Sequence, residues 1–204
     1  MTSVVSICNL ALSNIGGANI NALTEASTEA RACNQFYEHV RDLLLQAYPW
    51  RFAGKTASLG QVTNDKAGSW EYAYSRPNDC LKIIEIKSAI EITGDITGAD
   101  VTSGMTAFGY PYEVENGKIY CDLSPAYLRY TVRLTDPTKF PPLFVEALSW
   151  SLSARLAMPI TRDIAKRNEA LQVANMAIGQ AQMADANEVR ETSDHDSEFV
   201  TERA

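Results

Sequence analysis

The stretch "RACNQFYEHVRDLLLQAYPWRFAGKTASL", Arg31 to Leu59, decides how the chain folds. Cys33, Tyr37, Val40, Leu44 and Ala47 recur at alternating spacings of four and three and fall on one helix face, while Arg31, Glu38, Arg41 and Asp42 fall mostly elsewhere. Thr24 or Ser27 is the expected cap, and from Ser27 to Tyr48 the helix is about 33 Å long at ~1.5 Å per residue. Pro49 ends it, because a residue before proline is steered away from helical backbone angles. Tyr48, Trp50 and Phe52 follow as an aromatic run. They read as core that locks the turn against another helix rather than as a platform for a ligand. The residues after them predict a shorter helix over Ala53 to Leu59.

Outward toward the N-terminus, "TSVVSICNLALSNIGG" (Thr2–Gly17) carries Val4, Cys8, Ala11 and Ile15 as a single stripe. Thr2 or Ser3 is the expected cap, and Gly16-Gly17 the stop. Toward the C-terminus the period changes. Trp70 to Leu134 is rich in aromatic and β-branched residues and predicts a small, mainly antiparallel sheet. Its strongest signal is "YEVENGKIYC" (Tyr112–Cys121), with Asn116-Gly117 as a two-residue hairpin turn. That register sets Glu115 opposite Lys118 as a charge pair and puts Tyr112, Val114, Ile119 and Cys121 on one face. In "YLRYTVRL", Leu128, Tyr130, Val132 and Leu134 point inward, and Arg129 and Arg133 outward. "GDITGADVTSGMTAFG" (Gly94–Gly109), with its four glycines, reads as a long flexible loop.

Helical periodicity resumes at Phe140. Pro141 and Pro142 suit a first turn. Val145, Leu148, Leu152 and Leu156 make the stripe, and Pro159 is expected to break it. Thr161 is the expected cap of a last helix lined by Ala170, Ala174, Ala177, Ala181 and Ala184. Small side chains there permit close approach of another helix, in this chain or in a neighbouring copy. After Asp185 the pattern stops. The expected fold is therefore α+β, mainly α. Residues 1–60 and 138–185 form a helical bundle, residues 61–137 an inserted antiparallel β subdomain, and residues 186–204 an extended acidic tail.

Charge and composition narrow the function. The chain of 204 residues has a net charge of −7. Residues 186–204 hold six acids and two arginines, so this segment carries −4 and the other 185 residues carry −3. A chain without clustered Lys and Arg is a poor holder of nucleic acid. Cys8, Cys33, Cys80 and Cys121 are too scattered for zinc spacing and read as reduced, buried thiols. No export signal and no membrane span is expected, so the protein is read as made in a cytoplasm and soluble. No cofactor or metal is expected, and D-x-[DN]-x-[DN]-G spacing is not met around Asp95 and Asp100. The two histidines are His39, on the flank of a helix, and His195, in the tail. Neither has a nucleophile and an orienting acid at a fitting spacing, and no G-x-S-x-G is present. A glycan hydrolase would need two carboxylates across a cleft, one with a raised pKa, and no pair is marked by its surroundings. The tail reads either as a solvated terminus or as an arm in which Phe199-Val200, flanked by acids, anchors in a groove of a partner.

Four blocks, in order, resemble the head-to-tail adaptor proteins of short-tailed bacteriophages, called tail tubular protein A or tail accessory factor. They are "SICNLALSNIGGANINAL" (Ser6–Leu23), "EARACNQFYEHVRDLLLQAYPWRFAGKTASL" (Glu29–Leu59), "WEYAYSRPNDCLKIIEI" (Trp70–Ile86) and "FPPLFVEALSWSLSARLAMPIT" (Phe140–Thr161). The resemblance covers about residues 3 to 185. It implies a non-enzymatic virion protein of the neck, assembled in the host cytoplasm. Such a protein forms a ring, usually of twelve copies, beneath the portal protein. It lengthens the channel through which DNA passes without specific binding, and it supports the tail nozzle and fibres. On that reading Arg190, Phe199 and Val200 would meet the portal. Ala170, Ala174, Ala177 and Ala181, with Met105 and Phe108 of the glycine-rich loop, would meet neighbouring copies. The alternatives are a tail-associated cell-wall or glycan hydrolase, and a cytosolic scaffold unrelated to viruses.

Overall fold

The structure is a computed structural model that describes residues 2–88 and 109–188. It is α+β and mainly α, with four α-helices and seven short strands among the described residues. Helix α1, Val4–Ile15, starts on a reciprocal cap: Ser6 N–H donates to Ser3 Oγ at 3.0 Å, and Ser3 N–H donates to Ser6 Oγ at 2.8 Å. It ends at Gly16, whose φ of 74° is a geometry that glycine takes without a Cβ penalty. Its buried face is Ile7, Cys8, Ala11, Leu12 and Ile15. Asn9 then pins the connector, bonding Ile20 N–H at 2.8 Å and Ile20 C=O at 2.9 Å.

Helix α2, Thr28–Ala47, is capped by Ser27 and stops at extended Tyr48, before Pro49. Trp50 swings back and is buried, donating from Nε1 to Leu44 O at 2.7 Å. Its ring meets Tyr48, Phe52 and Phe144 at centroid distances of 5.0, 5.7 and 5.1 Å. The aromatic run is core, as expected.

The helix expected over Ala53 to Leu59 is absent. Arg51–Ala53 make one 3-10 turn, and Gly54–Ser58 form strand β1. Backbone pairing with a distant strand overrides the local pattern, since β1 runs antiparallel to β7, Ala126–Val132. The strands thus begin ahead of residue 61 and form two sheets rather than one. The first has the order β1-β7-β4, with β4 at Cys80–Ser88. The second has the order β2-β3-β6-β5, from Gln61–Val62, Tyr72–Ser75, Lys118–Cys121 and Glu113–Glu115. All pairings are antiparallel.

The hairpin register is as read, with Glu115 opposite Lys118 and Val114 opposite Ile119 across Asn116-Gly117. Its faces are not. Ile119 and Cys121 are buried, but Tyr112 and Val114 are exposed, because among the described residues β5 is the edge strand of its sheet. The charges also pair elsewhere. Lys66 reaches both Glu113 and Glu115, and Lys118 reaches Asp65 at 3.0 Å. The segment carrying Asp65 and Lys66 folds over the hairpin, and Tyr120 O–H donates to Asp65 at 2.7 Å. Leu128 and Tyr130 of β7 do face inward, and Arg129 pairs with Glu85 at 2.9 Å.

Helix α3, Pro142–Thr161, runs through the middle of the bundle and touches α1, α2 and α4. It buries Phe144, Val145, Ala147, Leu148, Ser149, Leu152, Ser153, Ala154, Leu156 and Ala157, so it is apolar nearly all round rather than striped. Ser153 joins α3 to α1. Its Oγ accepts from Asn14 Nδ2 at 3.2 Å and lies 2.9 Å from Ala11 O. Pro159 does not break the helix. It lies in the last turn, three residues before the helix closes at Arg162, φ 54°, so little helix remains beyond it to be disrupted. Helix α4, Ile164–Asn187, is capped by Asp163 rather than Thr161, with Asp163 Oδ1 accepting from Ala165 N–H at 2.8 Å. Thr161 Oγ1 instead donates to Ala157 O at 2.7 Å. Lys166 Nζ donates to Ile15 O at 2.9 Å, a cation set on the negative end of α1.

Candidate interaction surface

Three helices leave a trough between them. Helix α2 supplies Phe36, Val40, Leu43, Leu44 and Ala47. The C-terminal half of α3 supplies Ala154, Arg155, Met158 and Pro159, and α4 supplies Arg167, Leu171, Ala174 and Ile178. The trough holds about 680 Å³. Its lip is open: Leu43 is 43% exposed, Met158 40% and Leu171 40%. Two arginines and no acid stand among the lining residues.

The origin of the trough is steric. Ala170, Ala174, Ala177 and Ala181 face α3 and are all buried, so α4 lies close against α3. These four alanines are buried within one chain. Met105 and Phe108, and Arg190, Phe199 and Val200, lie outside the described residues.

The trough was not anticipated, although a signal exists. "DLLLQ" (Asp42–Gln46) has three adjacent leucines, and successive helical residues are about 100° apart, so one of them must leave the core stripe. Leu44 and Leu45 are buried, and Leu43 is the one turned out. Elsewhere on α4, Ile164 is 61% exposed, Met176 62% and Met183 69%.

A smaller cavity of about 310 Å³ lies at the other end of α4, lined by Trp50, Phe52, Pro141, Phe144, Asp185 and Glu188 among others. Asp185 is buried, and its two oxygens accept from Arg51 N–H at 3.0 and 3.1 Å. Burial pushes its carboxyl above the ordinary value, against the pull of the Arg51 amide. Those bonds tie the end of α4 to the turn after α2. Glu113 has the opposite environment: hydrogen bonds from Lys66 and Trp70 hold it below its usual range.

His39 is exposed on α2. All four cysteines are free and buried. Cys8 is pushed well up by the hydrogen bond with Cys33 and by burial, which suits an inert thiol. Among the described residues no cluster of three or more His, Cys, Asp or Glu is placed to hold a metal ion, and no helix is long and apolar enough to cross a membrane.

The described residues define an α+β protein whose helical side carries an open apolar trough edged by arginine. No protein-family model matches the chain, and no curated protein matches it.

Proposed function

We propose that this chain is a structural component of a short-tailed phage neck, an adaptor that packs side by side with copies of itself and docks beneath a portal protein. One observation carries the reading beyond the resemblance of the four sequence blocks. Helix α4 turns large apolar side chains to solvent along its whole length: Ile164, Leu171, Met176 and Met183. Apolar side chains recurring along one long helix are what a repeated protein contact needs, since each gains only when a neighbour covers it. A closed ring further needs two different surfaces per copy that fit head to tail. Met176 and Met183, seven residues apart and so on one outer face of α4, make the first, and the exposed edge strand β5 with the adjoining Tyr112 makes the second. The overall negative charge suits a channel that lets a duplex slide, because acidic walls repel phosphates. The ring carries the nozzle and fibres on its far side, works in the virion and performs no chemistry.

The test is assembly. The purified chain is mixed with a purified portal from a short-tailed phage, and mass is measured by light scattering. A shift to a ring-sized complex is expected, weakened when residues 188–204 are deleted. A chain that stays monomeric beside the portal overturns the reading. Turnover of peptidoglycan or capsule that vanishes with one carboxylate would replace it with the hydrolase.

A further inference from the structure

We propose that the trough between α2, α3 and α4 is the seat of the chain's own C-terminal segment, residues 196–202, with Phe199 and Val200 against its apolar walls. The proposal stands on the isolated chain and does not require the ring.

Three observations meet. The first is charge. The trough is lined by Arg155 and Arg167 and by no acid. The segment "DSEFVTE" (Asp196–Glu202) has an acid on each side of its apolar pair and no base. Opposite charges flanking an apolar contact fix both direction and register.

The second is shape and chemistry. Val40, Leu44, Ala154 and Ala174 form a buried apolar floor, Leu43, Met158 and Leu171 stand at its open lip, and both arginines are exposed beside them, Arg167 toward the α3–α4 connection. An extended strand with two adjacent apolar residues has one side chain for the floor and one for the lip. The unbranched Met158 can adapt to either.

The third is reach. Helix α4 ends at Asn187, and Leu171 lies sixteen residues back along it, roughly 24 Å at ~1.5 Å per residue. Phe199 is twelve residues beyond Asn187, a span of up to ~40 Å when extended. Folded back antiparallel to α4, the chain brings Phe199-Val200 over Leu171 and Leu43. Phe199-Val200 then lie beside Arg155, and Glu202, three residues on, reaches the end of the trough that holds Arg167.

The physical consequence is a masked surface. Covering Leu43, Met158 and Leu171 removes apolar area that would otherwise invite association, and it withholds Phe199-Val200 from any other partner. A partner that captures the tail uncovers the trough in the same step, so the two events are linked.

The test uses the full chain. A nitroxide is attached at Thr201→Cys, since the four native cysteines are buried. Methyl signals of Leu43, Met158, Leu171 and Ile178 are then followed by NMR in dilute solution. Loss of those signals is expected, with α1 methyls unaffected. Arg155→Glu with Arg167→Glu, both exposed positions, should restore them, and so should Phe199→Ser with Val200→Ser, which alters the tail alone. Full-strength trough signals in the labelled wild type overturn the proposal. So does signal loss seen only when nitroxide-bearing copies are mixed with isotope-labelled copies, because the tail would then be seated on a neighbour. A normal trough signature alongside failed portal binding would sink the neck reading and leave this one standing.

Discussion

Trp50→Phe is the substitution whose effect the structure sets most tightly. Trp50 is 1% exposed, and its indole N–H is 2.7 Å from the carbonyl of Leu44. Leu44 lies in the last turn of α2, among the carbonyls that lose their helical donors, and Pro49 just beyond has no N–H to offer. The indole therefore caps the helix from the side. Phenylalanine keeps an aromatic ring beside Tyr48 and Phe144 but removes that donor. Leaving a buried carbonyl without it costs about 1–3 kcal/mol. The smaller ring adds about 1 kcal/mol for unfilled volume, so the total is roughly 2–4 kcal/mol. Trp150 is the internal control, since its Nε1 is also 2.7 Å from an acceptor, Glu146 Oε1, but at an exposed site where water can replace the bond. Trp150→Phe should cost about 1 kcal/mol or less. Urea unfolding followed by far-ultraviolet circular dichroism measures both, because fluorescence would change with the tryptophans themselves. The two variants need the same denaturant slope for the comparison to hold. If Trp50→Phe loses no more stability than Trp150→Phe, the side-on cap is wrong.

The remaining predictions concern packing, turn geometry and charge. Ala177→Leu should destabilise the fold by about 1–3 kcal/mol, because Ala177 is buried in the main core and away from the trough. Met176→Leu, at 62% exposure on the same helix, should lie within about 0.5 kcal/mol of wild type in the same melt. Gly117→Ala should cost about 1 kcal/mol in thermal unfolding, since Gly117 sits at φ 75° in the hairpin turn. Asp185 governs one part of the acid profile. Its folded carboxyl is raised above the ordinary 3.8, so the folded chain holds this proton more tightly than the unfolded chain. That contribution is fully present below the unfolded value and is lost as pH rises through the folded one. The stability of wild type minus that of Asp185→Asn should therefore fall across that window, and a flat difference would refute the assignment.

Much of the bundle was legible because periodicity and caps agree. Ser3, Ser27, Gly16 and Pro49 mark ends that the backbone cannot easily move, and the stripes between them are long enough to be unambiguous. Legibility failed where a distant element decided the outcome. Gly54–Ser58 has no strong preference of its own and becomes a strand because β7 offers it a ladder. Pro159 looked like a break because a proline is costly in mid-helix, yet only its place relative to the true end at Arg162 sets that cost. The Glu115–Lys118 pair was read from register, but a segment fifty residues earlier brings Asp65 and Lys66 to compete for both charges.

The trough is the harder case, and its illegibility has a definite cause. Hydrophobic periodicity tells which side chains want cover; it does not tell whether the cover comes from the same chain. The alanines of α4 show the ambiguity in one direction, small side chains that fit a neighbouring copy or an adjacent helix equally well and are taken by α3. Leu43 shows it in the other, a residue inside a buried leucine run that no element among the described residues closes over. Only the three-dimensional arrangement separates the two, because it fixes which apolar surface is already satisfied. What it leaves unsatisfied here has apolar walls, a basic edge and a length within reach of an acidic segment carrying one apolar pair. The match lies between parts of one sequence that no local pattern connects.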